Sequence, residues 1–184
     1  MKGIYFEKVS FETFLKDVKD NENLMNIIRR SIDSDIDDYI KECYDNIKLP
    51  VRKTKCSAGY DFITPFNIEF NLIHDDTIKI PTGIKVHMPD DIVLMLHIRS
   101  NHGINNGLQI ANTTGVIDAD YYNNPDNEGD IIIALRDTKE DWNNYTEHTL
   151  FKSDRVVQGV FLPYYTTEDD NADGERVGGI GSTN

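Results

Sequence analysis

Five short segments place small, polar and charged residues at spacings that packing alone does not require. The most specific is Asn112-Thr113-Thr114-Gly115-Val116-Ile117-Asp118-Ala119-Asp120-Tyr121. Here Gly115, Val116 and Ile117 read as a hairpin arm that shows backbone donors and acceptors to a flat ligand. Asp118 is a candidate general base for a water. Tyr121 offers an aromatic face to a sugar or a base. A plain hairpin with an aspartate-stabilised turn is the alternative, and the segment is too long and too specific for it. Arg99-Ser100-Asn101-His102-Gly103 offers a guanidinium fork, a hydroxyl and turn N–H groups to an anion. Taken alone, it reads equally well as an exposed turn with one surface arginine. In Ala58-Gly59-Tyr60-Asp61, Asp61 is suited to orienting water around a metal, although a turn into a strand explains the tetrapeptide as well. Asp154-Arg155-Val156-Val157-Gln158 opens a strand, and its first two residues also read as a surface ion pair of little energetic weight. The last segment, Glu175 to Asn184, joins Arg176 to a run of glycines and to Ser182 and Thr183. That mixture suits a donor-rich arm around a phosphate chain better than a bare glycine tail.

These residues need a scaffold, and the pattern of the chain supplies two kinds. Between Ser10 and Ile47 the apolar residues follow a helical period. Phe11, Phe14, Leu15 and Val18 share one face, as do Leu24, Ile27, Ile28 and Ile32, and then Ile36, Tyr39, Ile40, Cys43, Tyr44 and Ile47. Ser10 and Ser34 are the expected helix caps. From Leu49 the period shortens to two. Phe66, Ile68, Phe70 and Leu72 alternate with polar residues. Pro81-Thr82-Gly83 punctuates the chain before Ile84, Val86 and Met88. The runs Ile92–Leu96, Ile131–Leu135 and Val156–Tyr165 are short and apolar, and the first suits a strand buried on both faces. Short strands broken by Gly, Asn, Asp and Pro predict a mainly β sandwich or barrel. The acidic stretch from Thr166 to Gly174 reads as a linker.

The charge balance narrows the partners. A formal net charge of −13 repels nucleic acid, whose binding draws on clustered Lys and Arg. It repels a nucleotide triphosphate too, unless local arginines or a cation intervene, so Arg99, Arg155 and Arg176 outweigh the total. No apolar run is long enough to cross a bilayer, and the first residues lack the pattern of a secretory signal. Cys43 and Cys56 complete no zinc set. They read as reduced thiols of a cytoplasmic protein.

In order and spacing the five segments resemble the motifs of the trimeric dUTPase family, over residues 49–184, and in particular a branch of it found in Gram-positive bacteria and their phages. The resemblance implies a jelly-roll-like β-barrel or sandwich with an N-terminal helical extension. It implies a homotrimer with its sites between subunits. The reaction would be Mg²⁺-dependent hydrolysis of dUTP to dUMP and pyrophosphate, which limits uracil in DNA and supplies dUMP. Residue by residue, Asp118 matches the base that activates the attacking water. Tyr121 matches the ring beneath the deoxyribose. Asn112 and Gly115 to Ile117 match the uracil-reading hairpin. Arg99, Ser100, Asn101, Arg155 and Gln158 fall on the phosphate side. Arg176, Ile180, Gly181, Ser182 and Thr183 match the arm over the β- and γ-phosphates. Asp61 matches a residue touching the metal only through water, with the triphosphate as the main ligand of Mg²⁺.

Four departures stand out. Arg176 sits one residue closer to the glycines than the family's arginine does. Asn101 replaces a usual Ser, and Ile180 replaces the Phe that stacks on uracil. Residues Tyr122 to Asn127 interrupt the third motif. Tyr122 is therefore the candidate for the missing aromatic lid. The resulting division is a strand and helical appendage at residues 1–48, a β core at 49–165, and a linker with the C-terminal arm at 166–184. The appendage is expected on the rim of the trimer, and no residue in it proves a docking site for a regulatory protein. A dCTP deaminase would need a glutamate within Ile131–Leu135, which holds no carboxylate. A non-catalytic nucleotide sensor on the same scaffold would have no need of Asp118.

Overall fold

A computed structural model describes residues 3–72, 77–138, 146–174, 176 and 178. The chain opens with strand β1 (Tyr5–Lys8) and three helices, α1 (Phe11–Lys19), α2 (Glu22–Ser31) and α3 (Ile36–Asp45). Ser10 caps α1 as expected, its side chain accepting from the Thr13 N–H. The third helix is capped by Asp35 and not by Ser34. The Asp35 carboxylate takes the N–H groups of both Asp37 and Asp38, which a serine one residue earlier does not reach. Each helix buries the stripe its period marks: Phe14 and Val18, then Leu24, Met25 and Ile28, then Ile40 and Cys43.

Ten further strands follow: β2 (Tyr60–Ile63), β3 (Ile68–Leu72), β4 (Ile78–Pro81), β5 (Ile84–His87), β6 (Ile92–Ile98), β7 (Leu108–Ile110), β8 (Gly115–Ile117), β9 (Ile132–Asp137), β10 (Thr146–Leu150) and β11 (Arg155–Pro163). They form a four-stranded sheet in the order β2-β11-β6-β8, a three-stranded sheet β4-β9-β7, and the pairs β10-β3 and β1-β5. Every pairing is antiparallel. The strand expected to be buried on both faces, β6, buries only Leu94 and Leu96, and its other residues stay half-buried. Its neighbours β11 and β8 satisfy its backbone, while one face of the strand is only half-covered among the described residues.

The helices share one hydrophobic cluster with the strands. Phe14 stacks on Phe66, centroids 5.8 Å apart, and β1 pairs with β5. Gly83, at φ +67, sits so close to Ile47 and Phe14 that a Cβ there would meet the Ile47 side chain at 2.4 Å. Residues 3–48 therefore contribute to the same core as the β region. Among the described residues, no helix is long and apolar enough to cross a membrane. Cys43 is buried and Cys56 exposed, both free thiols.

Candidate active site

The predicted residues fall into two groups on the four-stranded sheet. The first is centred on Asp61 in β2, whose carboxylate is almost fully buried. Its Oδ1 takes a guanidinium N–H of Arg99, and its Oδ2 faces the Nε of Arg155 at 3.5 Å. Gln158 of β11 stands opposite Asp61 in the register. Its amide oxygen lies where a side chain on Gly59 would be, 2.5 Å from a Cβ built there, so the glycine is needed for Gln158 to seat. Arg99 leaves the end of β6 and enters a wide helical turn, Asn101–Asn105, whose Gly103 N–H donates to the Arg99 carbonyl at 2.9 Å. Ser100 and Asn101 are exposed on this turn, while His102 is buried and held below its usual pKa by desolvation. Asp61 is thus the anchor that aims two guanidiniums, a role different from that of a water-orienting group alone.

The second group follows β8. Asn112 is exposed at the tip of the turn before the strand, where Thr113 adopts φ +67. Gly115, Val116 and Ile117 pair with Leu96, Met95 and Leu94 of β6. Gly115 rests on Leu96, where a Cβ would sit 3.1 Å from the Leu96 Cβ. β8 is the edge of its sheet, where one row of backbone groups has no strand partner, but it is not the arm of a hairpin: β7, the strand before the turn, pairs with β9, while β8 pairs with β6. Ile117 leads directly to Asp118, half-buried, and a single 3₁₀ turn (Ala119–Tyr121) brings Tyr121 back beneath it. Tyr121 is buried. Its hydroxyl donates to the Asp130 carbonyl at 2.9 Å and accepts from Asn127 Nδ2 at 3.0 Å. Burial pushes its phenol up to about 12, so it is a neutral donor and wall at any working pH.

Arg176 closes this group. Its guanidinium reaches Asp118 Oδ2 at 2.6 Å and Asp120 Oδ1 at 2.8 Å, and lies 5.6 Å from the Tyr121 ring centroid. Arg176 thus lies against the third segment within one chain. Asp120, which the sequence did not single out although it sits inside the motif, is a second carboxylate partner of Arg176. Ile180, Gly181, Ser182 and Thr183 lie outside the described residues.

Tyr122 stands apart from both groups. Its hydroxyl donates to Glu7 of β1, and its ring meets His87 edge-on at 5.2 Å and Tyr5 at 6.4 Å. Lys85 lies 5.4 Å from the ring. None of these partners is a predicted site residue, and the side chain is committed to the N-terminal strand. The interruption 122–127 is itself a folded loop: Asn124 donates to the Tyr121 carbonyl and to Asn127, and Gly129 turns the chain at φ +86. It ends at Glu128, whose carboxylate accepts from the Ser10 N–H and the Ser10 and Thr13 hydroxyls, with Lys85 Nζ at 3.2 Å.

The two groups sit at opposite ends of β6. Asp118 continues from Ile117, which pairs with Leu94, while Arg99 follows Ile98. At about 3.3 Å per residue this is on the order of 16 Å along the strand. Among the described residues, no hydrogen bond or ion pair joins them.

A β-rich subunit that brings Asp118, Tyr121 and Arg176 together after an edge strand, and gathers Arg99 and Arg155 on Asp61, presents the residue types of a candidate nucleotide-hydrolase site. The dUTPase family model matches residues 45–134. The deoxyuridine 5'-triphosphate nucleotidohydrolase of Lactococcus lactis is 41% identical over 139 residues, 74% of this chain and 88% of that protein. The dUTPase structure from Streptococcus mutans is 36% identical at a TM-score of 0.55, covering 65% of this chain and 88% of its own. A dUTPase of Staphylococcus phage phi11, described as coordinating a structural Mg(II) ion, is 22% identical at a TM-score of 0.55, over 71% of this chain and 92% of its own, and shares the fold. The chain belongs to the dUTPase family.

Proposed function

We propose that this dUTP diphosphatase hydrolyses dUTP by in-line attack of one water on the α-phosphorus, with Asp118 as the base. The observation that carries this reading is the adjacency of Asp118 and Tyr121 on one turn after an open edge strand. The edge strand Gly115–Ile117 reads the uracil through its backbone. Tyr121 packs beneath the deoxyribose and leaves no space for a ribose 2′-OH. Asp118 takes a proton from the water as its oxygen bonds to the α-phosphorus. The bond from that phosphorus to the bridging oxygen breaks, and pyrophosphate departs. Little covalent work falls to the protein, so positioning and charge neutralisation dominate. Arg99 and Arg155, aimed by Asp61, and Gln158 take the phosphate side. Arg176 exchanges Asp118 and Asp120 for the β- and γ-phosphates when nucleotide enters.

Among the described residues, no cluster of three His, Cys, Asp or Glu forms a metal cage. Mg²⁺ keeps several of its waters and takes phosphate oxygens as ligands. The cation would arrive on the triphosphate, with Asp61 facing its hydration shell, and would draw charge from the phosphate oxygens.

The assembly follows from the separation of the two groups. Asp118 and the Asp61–Arg99–Arg155 cluster lie at opposite ends of β6, so a complete site takes them from different copies of the chain, and a homotrimer is the arrangement we infer. The half-covered face of β6 is consistent with such packing. The test is pyrophosphate release from dUTP, dCTP, dTTP and UTP, with and without Mg²⁺, for the native chain and Asp118→Asn. Selective release from dUTP, lost in the variant, supports the reading. A folded protein that releases none sinks it.

A further inference from the structure

Two carboxylates outside the proposed chemistry meet in the interior. Asp130 is fully buried just before β9. Its Oδ1 accepts from the Gly83 and Ile84 N–H groups, at 2.8 and 3.3 Å, and lies 3.4 Å from the Thr82 hydroxyl. Its Oδ2 has no such donor. The Oδ2 of Asp17, on the inner face of α1, is equally buried and equally lacks one. Each carboxylate thus keeps one buried oxygen without a partner, and each group bears on the other's titration, so a proton held between the two would satisfy both oxygens. Behind Asp130 stands Tyr121, whose hydroxyl donates to the Asp130 carbonyl.

We propose that Asp17 is a positioning residue for Tyr121: a proton shared with Asp130 ties helix α1 to the carbonyl that holds the tyrosine floor in place. This rests on the reading of Tyr121 as the floor of the nucleotide site. The tie is one of four between the N-terminal segment and loop 121–130. The others are Glu7 with Tyr122, Ser10 and Thr13 with Glu128, and Lys16 Nζ with the Asp126 carbonyl at 3.0 Å. Only the Asp17–Asp130 tie depends on a bound proton. Desolvation is the main cause that raises both groups, Asp17 to about 6 and Asp130 well above the usual carboxylate range. Around the pair, Lys16 favours ionisation of Asp17, while Asp20 and Asp126 oppose it. Tyr121 feels Asp17, Asp130 and Arg176. The folded chain thus keeps protons that the unfolded chain releases near pH 4, and this contribution to stability falls as pH rises from there through the folded values.

The experiment measures the affinity of the Mg²⁺ complex of a non-hydrolysable imido analogue of dUTP from pH 5.5 to 9. Each variant is read as a ratio to the native chain, which cancels the titration of the nucleotide. Asp17→Ala removes the tie, and the expected result is affinity about three- to tenfold weaker near neutral pH. Asp17→Asn offers a permanent N–H to Asp130. It should restore native affinity near neutral pH and exceed it progressively on the alkaline side, with the melting temperature following the same pattern without ligand. The proposal is overturned if Asp17→Ala binds like the native chain. It is equally overturned if Asp17→Asn keeps the native pH slope, and this variant decides the matter if the alanine chain does not fold. Tyr121→Ala separates the two readings. If it abolishes discrimination between dUTP and UTP while the Asp17 variants behave as native, the floor stands and the tie falls.

Discussion

Arg176 and Asp118, 58 residues apart in sequence, are joined by an ion pair of 2.6 Å. The proposed base and an arginine of the C-terminal arm thus meet within one chain, with Asp120 completing the grip. This pairing sets the Arg176 guanidinium beside Asp118, where the proposed reaction needs a cation for the triphosphate. Removing each partner gives different outcomes. Asp118→Asn loses the base, and kcat should fall by about 10²–10⁴-fold with analogue binding largely retained. Arg176→Ala leaves the base in place and removes a phosphate partner, so both analogue affinity and kcat/KM should fall, by about tenfold or more. Steady-state kinetics with analogue titration distinguishes the two. An Arg176→Ala chain with native kcat/KM would show that the pair is only a resting contact.

Asp61 aims Arg99 and Arg155 from a nearly buried position. Asp61→Asn should cost about 1–3 kcal/mol of stability, because two guanidiniums lose their common counter-charge. Since both arginines keep about a third of their side chains exposed, the lower half of that range is expected. Analogue affinity should fall more than kcat. Thermal melting and calorimetric titration read the two effects, and a variant as stable and as tightly binding as the native chain excludes the anchoring role.

Gly129 turns the loop at φ +86, and a Cβ there would lie 2.5 Å from the Tyr121 carbonyl oxygen. That atom is backbone and cannot step aside cheaply. Gly129→Ala should destabilise by about 1–3 kcal/mol and shift Tyr121, raising the KM for dUTP. A substitution that lowers the melting temperature without touching KM would separate the loop from the floor.

Glu128 gives a pH effect of the opposite sign to the Asp17–Asp130 pair. The Ser10 and Thr13 hydroxyls, the Ser10 N–H and Lys85 outweigh desolvation and hold its carboxyl down to about 2. The folded value lies below the ordinary 4.5, so this stability is complete above about pH 4.5 and is lost as pH falls towards 2. Discounted for partial exposure, it is worth about 1–2 kcal/mol. Glu128→Gln should lower the melting temperature at pH 7 and leave it nearly unchanged near pH 2. An equal loss at both values would assign the effect to packing.

Much of this was legible in the sequence because it is local. The helical stripes of α1 to α3 and the Ser10 cap follow from spacing alone. So does the run from Gly115 to Tyr121, where strand, turn and carboxylate are consecutive. What was not legible depends on contacts across the chain. Tyr122 looked like a spare aromatic beside the site, but Glu7 and His87, distant in sequence, claim it. Nothing in the spacing singles out Asp17 or Asp130, which meet only once α1 packs on the β core. A carboxylate set directly against five apolar residues, Ile131 to Leu135, is the one signal that could have marked Asp130 as buried. Ser34 and Asp35 compete for the same cap, and only the backbone decides between them.

The contact between Ser10 and Glu128 spans 118 residues. Helix α1 is made early in synthesis, yet the loop it holds is made only after most of the strands. Ordering that loop must wait until a very large circuit of chain has closed, and closures of this kind slow folding. Refolding should therefore restore the core before it restores the tyrosine floor, so a newly made chain passes through a compact stage that is not yet able to bind its nucleotide.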